Sequence, residues 1–161
     1  MLEVFFPEEG TKFKTYGHRS IKMDEDDFWL YQMYSWSFIP SGYMMAHERG
    51  SPRGCVMYLH KEIMDTQKTV DHKDRDTTNN QQSNLRICNQ SLNCANRLKS
   101  LGMSSKYKGV HLNRGKWVAM IKVNQKGMYI GRFCIEEDAA RAYDKEAIKY
   151  FGEFAILNFK K

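Results

Sequence analysis

Four polar residues, Asp71, His72, Asn84 and Asn93, stand in the string V-D-H-(x)11-N-L-R-(x)6-N-(x)2-N-R, and together they hold the parts needed to hydrolyse a phosphodiester bond. A divalent ion takes oxygen ligands. The Asp71 carboxylate and the Asn93 amide carbonyl supply two, leaving positions for phosphate oxygens and water, which suits Mg²⁺ with Mn²⁺ as a substitute. Asn96, one helical turn from Asn93, is the alternative ligand. His72, with an unperturbed pKa of roughly 6.5, can take a proton from an attacking water at neutral pH. Asn84 cannot titrate and is suited to holding the His72 loop in place. Taken singly, each has a plainer reading as a turn residue, surface histidine, strand-end cap or exposed helix position; only their convergence makes a site.

Convergence requires elements that bring the string back on itself. Thr69–His72 reads as an extended segment, 73–83 as a polar loop, 84–88 (NLRIC) as a strand, and a helix follows from about residue 90 with Asn89 as its cap. Two strands and a helix form a hairpin-plus-helix unit that can set Asp71 and His72 near Asn93. Upstream, the run from Tyr34 to Phe38 alternates as a strand does, and SGYMMA reads as its hairpin partner. The acids Asp24 to Asp27 read as a solvated turn.

Charge divides the chain. Residues 1–103 carry 13 Lys/Arg against 13 Asp/Glu, whereas 104–161 carry 12 against 6, the whole of the net +6. Within 104–134 there are seven cations and no acid, a pattern that attracts a polyanion. The same stretch reads as three short strands, YKGVHL, KWVAMIKV and GMYIGRF, separated by Asn-Arg-Gly and Asn-Gln-Lys-Gly turns, followed by the helix IEEDAARAYDKEAIKYFG. In the middle strand Trp117, Ala119, Ile121 and Val123 fall on one face, to be covered by the helix. Lys116, Val118, Met120 and Lys122 fall on the other, which is left open with Lys108, His111 and Tyr129.

Composition sets the remaining bounds. Hydrophobic residues at 42% support packed cores. No run reaches the roughly 18 apolar residues of a membrane span, and the N-terminus lacks a secretory layout, so a cytoplasmic protein without a membrane partner or organic cofactor is expected. Four cysteines without a C-x-x-C pair read as reduced thiols rather than a zinc site or a disulfide scaffold.

Two resemblances join these readings. SSKYKGVHLNRGKWVAMIKV, YIGRF and EEDAARAYDKEAIKYFGEFAILNF are similar to the DNA-binding domain of plant Apetala and ethylene-response factors, over about residues 104–159. The likeness implies three strands in the major groove of double-stranded DNA with a helix behind them, and Lys108, Gly109, His111, Lys116, Lys122, Tyr129 and Arg132 as the DNA-facing set. That family usually has arginines where Lys108 and His111 stand, and often tryptophan where Tyr129 stands. Lysine cannot reproduce the two-pronged arginine contact to guanine, so affinity is expected to carry over and base preference is not.

The string around Asp71 and His72, with SGYMMAHERGSPRGCVMYLHKEIM ahead of it, resembles the HNH endonucleases in the variant with Asn at the third motif position, of phage and bacterial homing type. This implies His72 as general base with Asn84 orienting it, Asp71 and Asn93 as metal ligands, and Arg86 and Arg97 at phosphates. His60 matches a histidine of that family's L-H-R stretch, with Lys61 in place of the arginine.

The expected fold class is therefore α+β: an N-terminal ββα-metal nuclease domain at 16–98, a linker at 99–105, and a small three-stranded antiparallel sheet packed on one helix at 106–159, with 1–15 an unassigned arm. The expected protein is a homing-type DNA endonuclease of a phage-encoded or mobile element in a bacterial host. As a monomer with one active site it nicks one strand; a double-strand break needs a homodimer or a second event. The alternatives are a non-catalytic DNA-binding regulator and a structured-RNA nuclease.

Overall fold

The structure, a computed structural model, describes residues 2–5, 20–47, 56–99 and 102–159, with only the backbone of 2–5. The expectations that fall on 6–19, 48–55 and 100–101, including Cys55 and part of the 99–105 segment, lie outside the described residues. The architecture is α+β, built from small antiparallel sheets, in two compact units, Met1–Cys88 and Asn89–Lys161. Among the described residues no helix is long and apolar enough to cross a membrane.

In the first unit β1 (Leu2–Phe5) pairs with β2 (Ser20–Met23), β3 (Ser37–Phe38), β4 (Met44–His47) and β5 (Val56–Tyr58) form a second sheet, and β6 (Thr69–His72) pairs with β7 (Leu85–Cys88), all antiparallel. The short helices α1 (Phe28–Met33) and α2 (Leu59–Ile63) pack on a core of Ile21, Met23, Met44 and Leu59, all essentially buried, together with Trp36, Val70 and Leu85. Only Ser37 and Phe38 of the aromatic run are strand. The buried Trp36 indole donates to the Leu30 carbonyl at 3.1 Å, and this bond turns the chain straight after α1. SGYMMA does return as the partner, with Phe38 opposite Met44.

The acid run is not simply solvated. Asp24 accepts from Gln82 N (2.9 Å) and Gln81 Nε2, and the buried Asp27 takes both its bonds from Gln82 Nε2 (3.0 and 3.2 Å). Its carboxylates clamp the far end of the 73–83 loop.

In the second unit α3 (Gln90–Ala95) precedes the meander β8 (Val110–Asn113), β9 (Lys116–Val123) and β10 (Lys126–Phe133), with β9 central, and then α4 (Glu136–Phe151). Asn89 caps α3 by accepting from Leu92 N at 2.9 Å, and Gly152, at φ 51°, ends α4. Three acids in the first turn of α4 favour its N-terminus electrostatically. Ala139, Ala140 and Ala147 let α4 lie close on Ala119, Val110 and Ile121. The boundary falls at Cys88/Asn89 rather than at 99–105 because Leu92 and Ala95 of α3 pack with Ile121, Tyr143 and Phe151.

Candidate functional site

Within the first unit, His72 ends β6 opposite Leu85 and is only 3% exposed. Its Nε2 lies 3.3 Å from Asn80 Oδ1. Asn80 Nδ2 donates to the Thr78 carbonyl (3.2 Å), which fixes Oδ1 as the acceptor. With Asn80 Oδ1 as the acceptor, His72 Nε2 is placed to donate. Burial lowers the His72 pKa, an effect opposed by the Asn80 bond and by Asp74, Asp71 and Asp76. The lowered pKa favours the neutral imidazole, the form a general base needs.

Asn84, also buried, holds the adjoining loop: Nδ2 donates to Asp74 Oδ1 (2.9 Å) and to the Asn79 carbonyl (2.8 Å), and Oδ1 accepts from Asp74 N (3.1 Å). It orders the His72 loop, while the residue on the imidazole itself is Asn80. The 1% exposed Asn80 is also bonded through its backbone N–H to the Lys22 carbonyl (2.7 Å), which ties the loop to β2. Sequence reasoning missed Asn80 because an Asn-Asn pair in a polar loop signals a turn, not a partner.

Adjacent strand residues point to opposite faces, and the contacts of Asp71 differ from those of His72. The buried Asp71 lies opposite Arg86 in the ladder, and Asp71 Oδ2 accepts from Arg86 Nε (2.9 Å) and pairs with Nη2 (2.8 Å). Arg86, expected at a phosphate, thus holds a carboxylate. On the His72 side the rings of Tyr43 (5.9 Å) and His60 (5.3 Å) pack against the imidazole, and Tyr43 also lies 5.0 Å from His60. His60 is a packed residue of α2. Among the described residues no group of three or more His, Cys, Asp or Glu is placed to hold a metal.

Burial, then the neighbouring His72 and Lys61, push His60 down to about 3. In the unfolded chain it titrates near its ordinary 6.5, so between those values the unfolded state binds the extra proton. The stabilisation is complete above about pH 6.5 and is lost as pH falls from there toward 3. The first unit should lose about 1 kcal/mol between pH 7.5 and 5.5, read as a lower urea midpoint, and His60→Gln should reduce that drop.

Asn93 and Asn96 belong to the second unit. Asn93 is half-buried on α3 with its backbone N–H on the Asn89 carbonyl, and Asn96 is buried at the C-cap. Lys108, expected to face DNA, instead gives its ammonium to the carbonyls of Ala95 and of Arg97, the latter at 2.6 Å. This is a lysine satisfying the orphan carbonyls of a helix C-terminus. Its backbone is tied in as well: Lys108 N donates to Asn158 Oδ1 (2.6 Å), Asn158 Nδ2 returns to the Lys108 carbonyl (3.1 Å), and the buried Asp144 accepts from Asn158 N (2.8 Å) and Phe159 N (3.0 Å). Arg97 is exposed.

The remaining expected set shares one face of the meander. Cross-strand partners lie on the same face, and the register pairs His111 with Val118, Val118 with Arg132, Asn113 with Lys116, Met120 with Tyr129, and Lys122 with Gly127. Tyr129 and Arg132, three residues apart, would point oppositely in a regular strand. A bulge between Tyr129 and Gly131 inserts Ile130 and restores both to the open side. Tyr129 is 64% exposed. Arg132 Nη2 donates to the carbonyls of Asn113 (3.0 Å) and Arg114 (3.1 Å), and Lys116 Nζ lies 2.9 Å from Cys134 Sγ. Gly109, at φ 74°, lies beneath this face against the Tyr143 ring.

No family model matches the chain. Among curated proteins it is similar to the AP2-like ethylene-responsive transcription factors AIL7 and PLT2 of Arabidopsis thaliana, each 45% identical over 71 residues, which is 40% of this chain and 14% and 12% of those proteins. APETALA2-like protein 2 of Oryza sativa subsp. indica is 43% identical over 60 residues, 35% of this chain and 14% of that protein. The chain thus spans 12 to 14% of the length of these relatives. The likeness rests in the C-terminal unit, which is similar to the AP2-type domain of these plant transcription factors.

Proposed function

We propose that the chain is a DNA-binding protein that holds duplex DNA on the open face of β8–β10. The observation that carries this reading is the gathering of His111, Lys116, Lys122, Tyr129 and Arg132 on one face of a stretch, 104–134, without a single acid. Its likeness to proteins named as transcription factors supports DNA binding. Lys108 drops out of the contact set because its ammonium serves α3.

Phosphate-driven binding weakens with salt, with a slope of about −0.9 in log K against log salt for each phosphate neutralised. Three cations, Lys116, Lys122 and Arg132, should give a slope of about −3, and Lys122→Ala should make it shallower by about 1. Fluorescence anisotropy on a short duplex across a salt series reads both. A slope near zero removes the reading, and stronger competition by structured RNA than by duplex DNA redirects it to RNA.

A second reading is favoured by the buried His72 imidazole, held at Nε2 by Asn80 and with its pKa lowered by burial: the first unit hydrolyses a phosphodiester bond of the DNA so held. His72 takes the proton of the attacking water, Asn80 holds the imidazole, and Asn84 holds the loop. A divalent ion, Mg²⁺ or Mn²⁺, would offset charge developing on the phosphate, and Asp71 is the carboxylate of the first unit that would help to hold it. In the structure Asp71 Oδ2 is engaged by Arg86. This activity belongs in the cytoplasm of a bacterial host, and one such site per chain nicks one strand. Loss of nicking with EDTA, and its return with Mg²⁺, is the expected result; no nicking with any metal leaves a non-catalytic DNA-binding regulator.

A further inference from the structure

We infer that Met120 determines base preference at this sheet by receiving the 5-methyl group of thymine. The inference rests on the reading of the open face as a DNA surface and adds what that surface recognises. The face is basic at its margins and apolar at its centre. Met120 stands on β9, the middle strand of the three, is 38% exposed, and has Tyr129 opposite it on β10.

On the β8 side its neighbour is Gly109, whose carbonyl accepts from Met120 N at 2.8 Å and which offers no side chain. Toward the other edge its Cε lies 3.7 Å from the point a Cβ on Gly127 would occupy. Two glycines thus leave the thioether standing clear. Beside it opens a cavity of about 460 Å³, walled by Met103, Met120, Gly109 and Val110 and flanked by Lys99 and His111.

A sheet laid in a groove reaches deepest with its central strand, while Lys116, Lys122 and Arg132 serve the phosphates. In the major groove every base shows hydrogen-bonding groups, and thymine alone adds a methyl. A methionine is unbranched and polarisable, able to close around a single methyl. The lysines of the face are point charges without the guanidinium fork, and Arg132 stands on an edge strand with its Nη2 held by two backbone carbonyls, suited to a phosphate beside the groove. An apolar protein segment is the other conceivable occupant, but the surrounding acid-free charge suits DNA.

The test uses the full chain. Sites are selected from a random duplex pool, and the selected site is then rebuilt with uracil in place of thymine at one position at a time, which removes only the methyl. The wild type should bind about fourfold more weakly at one or two positions, the factor for losing burial of one such carbon. Met120→Ala should bind thymine and uracil sites alike with an unchanged salt slope, and Met120→Leu should keep the preference. Tight, salt-sensitive binding by the wild type that is indifferent to uracil at every position, or a uracil penalty that persists in Met120→Ala, overturns the inference and leaves DNA binding standing. Absence of salt-sensitive retention of any duplex overturns the DNA reading and this inference with it.

Discussion

Gly109→Ala should strongly destabilise the C-terminal unit, by about 2–5 kcal/mol. The glycine sits at φ 74°, and a Cβ built there lies 2.0 Å from Tyr143 Cδ2, 2.2 Å from Cε2 and 2.8 Å from the Met120 carbonyl oxygen. Tyr143 is buried in the core with Ile121, Ala147 and Phe151, so its ring has nowhere to swing, and the Met120 carbonyl belongs to the central strand. The left-handed backbone costs an L-residue about 1–2 kcal/mol, and overpacking adds about 1–3 kcal/mol. That total is comparable with the roughly 4–11 kcal/mol a unit of this size commands.

Urea melts followed by tryptophan fluorescence and by binding to duplex DNA measure the effect. Gly115→Ala is the control: its φ is also positive, at 71°, but nothing lies within 4 Å of the added carbon. It should cost only about 1 kcal/mol, the backbone part alone. Equal midpoints for the two variants would mean that α4 can shift off the sheet, and that the close approach of Gly109 and Tyr143 does not hold the fold.

On the hydrolytic reading, His72→Gln should slow plasmid nicking by about 10²–10⁴, the usual contribution of a positioned general base, while DNA binding by the second unit stays within error. Glutamine keeps much of the volume of the buried ring, so a melt separates lost chemistry from lost fold. Asn80→Ala should act through His72. Without Asn80 Oδ1 the imidazole loses a bond that opposes the lowering of its pKa, and the pH-rate profile should shift to lower pH along with the change in rate. Nicking that survives in His72→Gln at the wild-type rate would remove His72 as the base. No nicking by the wild type on any substrate or metal would leave the regulator as the function.

Much of the local structure was legible because it is set by short-range physics. Thr69–His72, the strand ending at Cys88, the Asn89 cap, the three strands of the meander and the helix ending at Gly152 follow from alternation, caps and turn residues that act within a few positions. The open basic face followed from the same alternation on β9 together with the absence of acids. The short helix Phe28–Met33 was less visible, since six residues hold too little periodicity to stand out from the aromatic run around them.

The sequence by itself therefore determined the elements and the charge they carry. Where particular side chains are directed was decided by the tertiary structure. Lys108 and His111 differ by three positions, as do Tyr129 and Arg132. In the first pair the chain bends at Gly109 and Lys108 goes to the end of α3; in the second a bulge at Ile130 brings both residues to one face. Likewise Asn80 reaches His72, and Arg86 reaches Asp71, only once the hairpin has closed. The reason is physical: alternation survives only while the strand is regular, and a glycine bend or one inserted residue reverses it. Whether a bend or bulge is retained depends on packing against residues distant in the chain, such as Tyr143 against Gly109.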